Sequence, residues 1–167
     1  MQLSSLKIII TGAAQGMGAH FARRIAEAGG QVAAGDVKED LLNGLAEECK
    51  GLPGKVHVKK LDVSSEADIG SFVDWAHGAM GGLNGLINNA GILRDGLMIK
   101  VKDGEMTKMP LSQWQAVIDV NLTGVFLCGR EFAAQAINHK QQGCIINIAS
   151  ISRAGNMGQS NYSAAKA

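Results

Sequence analysis

A short apolar run that ends directly in a glycine-rich turn constrains this chain more than any other feature. Leu6-Lys7-Ile8-Ile9-Ile10 is rich in β-branched residues and stops at Thr11-Gly12, so it reads as a strand. The residues that follow, Gly12-Ala13-Ala14-Gln15-Gly16-Met17-Gly18, space their glycines as G-x-x-x-G-x-G. Met17, Phe21 and Ile25 then recur at i, i+4 and i+8 with Ala22 and Ala26 beside them, a helical period that Gly29-Gly30 ends. In a strand–turn–helix unit of this kind the backbone can approach a diphosphate while the helix N-terminus faces its charge. Glycines alone would equally suit a turn that packs helix on strand; their place between a strand and a helix favours the binding role.

The alternation continues along the chain. Gln31 to Gly35 reads as a second strand, Glu39 to Cys49 as a helix with Leu41, Leu42 and Leu45 apolar, and Lys55 to Leu61 as a third strand. Ser64 or Ser65 is placed to cap a helix carrying Ile69, Phe72, Val73, Ala76 and Met80. Gly85 to Asn88 is a fourth strand, Ser112 to about His139 a long helix, and Cys144 to Ile148 a fifth strand; a further helix begins near Met157. Strands and helices in this order predict an α/β fold, a doubly wound parallel sheet of Rossmann type in strand order 3-2-1-4-5. Ile92 to Pro110 is charged and reads as an irregular solvated loop, with a substrate-entrance wall or an oligomer contact as alternatives. No repeat or linker divides the 167 residues, so one domain over 1-167 is expected.

Charge and cysteine usage exclude other classes. Lys+Arg is 16 against 15 for Asp+Glu, a net charge of +1, which argues against nucleic-acid binding and against a polybasic membrane patch. No apolar run approaches the ~18 residues of a membrane span, and Met1 to Lys7 lacks a leader pattern. Cys49, Cys128 and Cys144 are odd in number with no C-x-x-C, so reduced thiols and a cytoplasmic location are expected. His20, His57, His77 and His139 have no metal-ligand spacing, and no metal is expected.

Asp36 follows the second strand 18 residues after Gly18. A carboxylate there accepts hydrogen bonds from a ribose 2′-OH and repels a 2′-phosphate, and no basic residue stands at position 15 or 37 to receive that phosphate. NAD is therefore expected over NADP, although Lys38 has the length to reach back; taken alone, Asp36 also suits a helix-start carboxylate.

Further motifs complete a set. Asn88-Asn89-Ala90-Gly91 closes the fourth strand, Asn121 lies in the long helix, Ser150 follows the fifth strand, and Tyr162 and Lys166 are four apart. With the Thr11 to Gly18 turn, this chain resembles the short-chain dehydrogenase/reductase family over essentially its whole length. Ile87 to Gly91, Val120 to Phe126 and Gly158 to Lys166 carry a closer similarity to the bacterial 3-oxoacyl-[acyl-carrier-protein] reductases within it. The resemblance implies that Gly12, Gln15, Gly16, Met17 and Gly18 line a diphosphate and ribose, that Asp62 and Val63 contact adenine, and that Asn89, Ala90 and Gly91 run beneath the cofactor. It implies a catalytic tetrad of Asn121, Ser150, Tyr162 and Lys166, with Lys166 also bonding the nicotinamide ribose. Ser150 lies 12 residues before Tyr162, one fewer than is usual in the family, which leaves Ser152 as the fallback. The resemblance further implies a homotetramer or dimer, and a domain that continues past Ala167. The given residues are thus expected to be part of a longer chain, leaving a sheet edge and an apolar face uncovered.

The chemistry of the set is hydride transfer between nicotinamide and a carbonyl or secondary alcohol. A phenol of pKa ≈ 10 is a poor base at neutral pH. Lys166, one helical turn after Tyr162, shares its face and favours the phenolate, which makes Tyr162 the acid/base and Ser150 a hydrogen-bond donor to the substrate oxygen. Asn121 falls on the apolar stripe of Trp114, Val117, Ile118, Leu122 and Val125, where a buried amide needs partners. A water relay to Lys166 or a structural bond to backbone would each supply them. The substrate is a small molecule or an acyl thioester. A 3-oxoacyl thioester is one reading, and a 3-hydroxyacyl-CoA, steroid or polyol is the alternative. A non-catalytic dinucleotide-binding module is a third reading.

Overall fold

The computed structural model describes residues 2–167; Met1, the first residue of the stretch read for a leader, lies outside the described residues. After a 3-10 turn at Leu3–Ser5 come β1 (Lys7–Thr11), α1 (Gly16–Glu27), β2 (Gln31–Asp36), α2 (Glu39–Glu48), β3 (Lys55–Lys60), α3 (Glu66–Met80) and β4 (Gly85–Asn88). Two short strands follow, β5 (Ile99–Lys102) and β6 (Glu105–Lys108), then α4 (Leu111–Ile118), a π-helical segment (Asp119–Thr123) and α5 (Gly124–Asn138). The chain ends with β7 (Cys144–Asn147), a 3-10 turn (Ile151–Ala154) and α6 (Ser160–Lys166).

Five strands form one parallel sheet in the order β3-β2-β1-β4-β7. The expected 3-2-1-4-5 arrangement holds, because β5 and β6 pair only with each other. β1 lies at the centre, and its alternation divides the core. Ile8 and Ile10 pack on the side of α1 and α2 with Ala22, Ile25, Leu42 and Leu45. Ile9 faces α3 and α5 with Ile69, Phe72, Val73 and Phe132. Burying side chains such as Ile9 and Phe72, each 1% exposed, contributes about 1.5–3 kcal/mol apiece. Ser65 is the cap of α3: its Oγ accepts from the Asp68 N–H at 3.3 Å. Gly81, at φ +64°, ends that helix in the left-handed conformation.

Two expectations are corrected. The 92–110 stretch is not wholly irregular. Ile99–Lys102 and Glu105–Lys108 form an antiparallel hairpin, turned by Asp103 and Gly104 at φ +52° and +79°. The long helix is not uniform either: Asp119–Thr123 widens into a π turn that places Asn121 inside, at 2% exposure. β7 is an outer strand of the sheet, and its Ile145 and Ile146 are 40% and 48% exposed. No helix among the described residues is long and apolar enough to cross a membrane.

Candidate active site

At the C-terminal ends of β1, β2 and β4 the chain encloses a cleft of ≈ 430 Å³. This is where an open parallel sheet receives ligands, because the strand connections diverge there to opposite faces. Every residue expected at the cofactor lines the cleft except Gly18, Tyr162 and Lys166.

The glycine turn forms its floor, and the glycines have different reasons to be there. A Cβ on Gly12 would stand 2.7 Å from Ala90 Cα, and one on Gly18 would collide with the Gly12 carbonyl and stand 2.7 Å from Asn89 Nδ2. Gly16 has open space around it but adopts φ +56°. The turn is laced to the end of β4 in both directions. Asn89 Nδ2 donates to the Thr11 and Gly12 carbonyls at 3.0 and 2.9 Å. Thr11 Oγ1 accepts from the Asn89 and Ala90 N–H groups at 3.1 and 3.0 Å. The sequence marks Thr11 only as the first residue of the motif; its hydroxyl joins the glycine turn to the Asn89–Gly91 stretch, both expected at the cofactor.

Asp36 also has a second task. Its two carboxylate oxygens accept from the backbone N–H of Ala14 (3.0 Å) and of Lys38 (3.1 Å). Lys38 does reach back, but to Gln15, whose Oε1 accepts from Nζ at 3.0 Å. Asp62 is held by its own turn, accepting from Ser64 N and Oγ at 2.9 and 2.6 Å.

The expected tetrad sits beyond the cleft wall. Asn121 Oδ1 accepts from the Ile92 N–H and its Nδ2 donates to the Ile92 carbonyl, both at 2.8 Å. Backbone groups of Ile92 thus partner the buried amide, which ties the π segment to the end of the cleft. Helix α6 packs on α4, on the π segment and on the 151–154 turn. Within α6, Lys166 Nζ stands 5.9 Å from the centre of the Tyr162 ring and donates to the Ile148 carbonyl at 2.8 Å. Burial pulls the Lys166 ammonium below the ordinary lysine value. Ser150 Oγ accepts from the Ser152 N–H at 3.2 Å, whereas the Ser152 hydroxyl donates to Gln159 Oε1 at 2.9 Å. Ser150 thus has its donor proton uncommitted among the described residues, and Ser152 does not. Burial pushes the Cys128 thiol up to about 12, so it is no nucleophile.

Sequence reasoning passed over Asn161. It is fully buried, its Oδ1 accepts from the Tyr162 N–H at 2.8 Å, and its Nδ2 donates to the Arg94 carbonyl at 2.9 Å. A polar residue just before Tyr162 was the available signal.

Sequence and fold both have counterparts among known proteins. Residues 7–167 match the family model for short chain dehydrogenases. The chain belongs to this family. It is 38% identical over 168 residues to the 3-oxoacyl-[acyl-carrier-protein] reductase FabG of Thermotoga maritima, covering all of this chain and 65% of that protein. It is also 38% identical over 159 residues to a 3-alpha-(or 20-beta)-hydroxysteroid dehydrogenase of Mycobacterium bovis, covering 95% of this chain and 56% of the relative. A short-chain type dehydrogenase/reductase from Mycobacterium marinum superposes with a TM-score of 0.87 at 33% identity, over 99% of this chain and 63% of the other. This short-chain dehydrogenase chain therefore spans less than two thirds of these relatives.

Proposed function

We propose that the protein containing this chain transfers hydride between a nicotinamide cofactor and a carbonyl or secondary alcohol, with NAD(H) preferred over NADP(H). The observation that supports this best is a glycine-floored cleft beside a helix that carries Tyr162 and a half-buried Lys166. The residues fit a dinucleotide. Side chains at Gly12 and Gly18 would fill the cradle, and Asp36 stands in the wall where a ribose hydroxyl is read. Gly12, Gln15, Gly16 and Met17 would hold the diphosphate side, Asp62 and Val63 the adenine side, and Asn89 to Gly91 the underside.

When bound, the nicotinamide supplies or accepts the hydride. Tyr162 holds the proton at its phenolic oxygen and gives it to the carbonyl oxygen as charge develops there. Lys166 favours the phenolate that remains; an ammonium removed in part from water acts on a neighbouring charge more strongly than a solvated one. The free proton of Ser150 orients the same oxygen. Asn121 contributes by holding Ile92 where the cleft ends. The substrate class we favour is a 3-oxoacyl thioester, as the name of the Thermotoga relative suggests; the steroid dehydrogenase of equal identity makes a ketosteroid the second class. We also propose a cytoplasmic homo-oligomer, tetramer or dimer. Its interface would cover the face of α5 that exposes Phe126 (62%) and Ile137 (77%).

The test is fluorescence titration of the full-length protein with NADH and NADPH, followed by NADH consumption on 3-oxoacyl thioesters, ketosteroids and keto-sugars, with Tyr162→Phe as control. Tighter NADH binding, and turnover that Tyr162→Phe abolishes, is expected. Binding without turnover on any carbonyl would mark a non-catalytic module, and tighter NADPH binding would reverse the cofactor assignment.

A further inference from the structure

Two buried asparagines hold the same short stretch of chain. Asn121 (2% exposed), from the π segment, takes both backbone groups of Ile92; Asn161 (0% exposed), from α6, takes the carbonyl of Arg94. Ile92 lines the cleft. Residues 92–94 therefore bridge the end of the cleft to the helix that carries Tyr162. Asn161 Nδ2 also reaches the Gln113 carbonyl at 3.4 Å, and Gln113 Nε2 donates to the Arg94 carbonyl at 2.9 Å. The bridge is fastened again one step outward: the Gly96 N–H donates to the Gly158 carbonyl at 2.8 Å, and Gln159 Nε2 to Asp95 Oδ2 at 2.9 Å.

From these contacts we infer that Asn161 is a positioning residue: through Arg94 it sets where Tyr162 stands relative to the cofactor cleft. The inference rests on the hydride-transfer reading above. Its physical basis is that Asn161 and Tyr162 stand in the first turn of α6, where backbone N–H groups have no partner within the helix. The start of a helix is located by contacts outside it, and Asn161 supplies them while its Oδ1 takes the N–H of Tyr162 itself. A buried amide with these bonds has one orientation, so the adjacent residue inherits it. Hydride and proton transfer depend steeply on such placement; a 1 Å error costs on the order of 100-fold in rate.

The experiment uses the full-length protein with Asn161→Asp, Asn161→Ala and Gln113→Leu. Asn161→Asp keeps the acceptor for Tyr162 N–H and the side-chain shape but loses both donated bonds. Gln113→Leu loosens the Arg94 carbonyl from the opposite side at a partly exposed position. For each variant, kcat, KM, the NADH Kd, the pH dependence of kcat and the urea midpoint are measured. For Asn161→Asp the expected result is a fall in kcat of about 100-fold with the NADH Kd within about threefold, and a displaced pH–kcat profile. Gln113→Leu is expected to lower kcat roughly tenfold in the folded protein. A kcat per folded molecule and a pH profile that superpose on the unsubstituted protein would overturn the inference. If the Asn161 variants do not fold, the same comparison on Gln113→Leu decides. An unsubstituted protein with no turnover overturns the hydride-transfer reading, and this inference with it.

Discussion

Replacing Thr11 with valine keeps the shape of a 2%-exposed side chain and removes one oxygen atom. That oxygen accepts two backbone N–H groups, from Asn89 and Ala90. A donor left unsatisfied in the interior costs about 1–3 kcal/mol, so two fully buried donors would cost about 2–6 kcal/mol. Asn89 and Ala90 are only half-buried because they line the cleft, and water reaches them in part. The lower end applies, about 2–3 kcal/mol. Thr11→Ser keeps the acceptor and loses one methyl, about 0.8 kcal/mol. The assay is urea unfolding of the full-length protein, followed through the fluorescence of Trp75 and Trp114. At a slope of about 2 kcal/mol/M, Thr11→Val lowers the midpoint by about 1 M and Thr11→Ser by less than half of that. A valine variant as stable as the serine variant would refute the reasoning, because the hydroxyl would then contribute shape alone.

Other outcomes follow from the same geometry. Gly18→Ala, which drives a Cβ into the Gly12 carbonyl and Asn89, should weaken NADH binding in a fluorescence titration by more than about tenfold. Gly16→Ala meets no neighbour and should cost only the roughly 1 kcal/mol of its positive φ, read as an unfolding midpoint. Ser150→Ala should reduce kcat by about 100-fold and Ser152→Ala by less than about tenfold, and equal effects in steady-state assays would contradict the serine assignment. His77 is lowered first by burial and then by the charge of His139, on whose ring it stacks at 3.9 Å. The unfolded chain therefore binds a proton more readily than the folded one, and stability rises as pH climbs from the native His77 value to about 6.5. Urea midpoints between pH 5 and 8 should show that rise, and His77→Phe should reduce it to the part contributed by His57, which burial also lowers.

The elements that alternation and glycine punctuation mark were readable, because their side chains face two buried layers and the period survives in the residues. Ile8, Ile9 and Ile10 are an example, as is the α3 series from Ile69 to Met80. The hairpin was not read, although Ile99-Lys100-Val101-Lys102 alternates and Asp103-Gly104 is a strong turn pair. Every residue of both strands is exposed, so the lysines that make them look like a solvated loop do lie in solvent. The π turn had no local mark: it exists because Asn121 meets Ile92, 29 residues away, and single-sequence periodicity carries no such pairing. Asn161 escaped for the same reason, since its partners Arg94 and Gln113 come from distant parts of the chain.

Asp36 carries a consequence for anyone who would redesign the protein. The carboxylate proposed to discriminate between cofactors also accepts the backbone N–H of Ala14 within the glycine turn and that of Lys38 after β2. Selectivity and scaffold are written in one side chain. A swap of Asp36 for alanine or arginine, made to invite a 2′-phosphate, would unfasten the loop meant to receive it. Asparagine or serine, each retaining an acceptor, is the more promising starting point, with new positive charge introduced at a neighbour such as Val37.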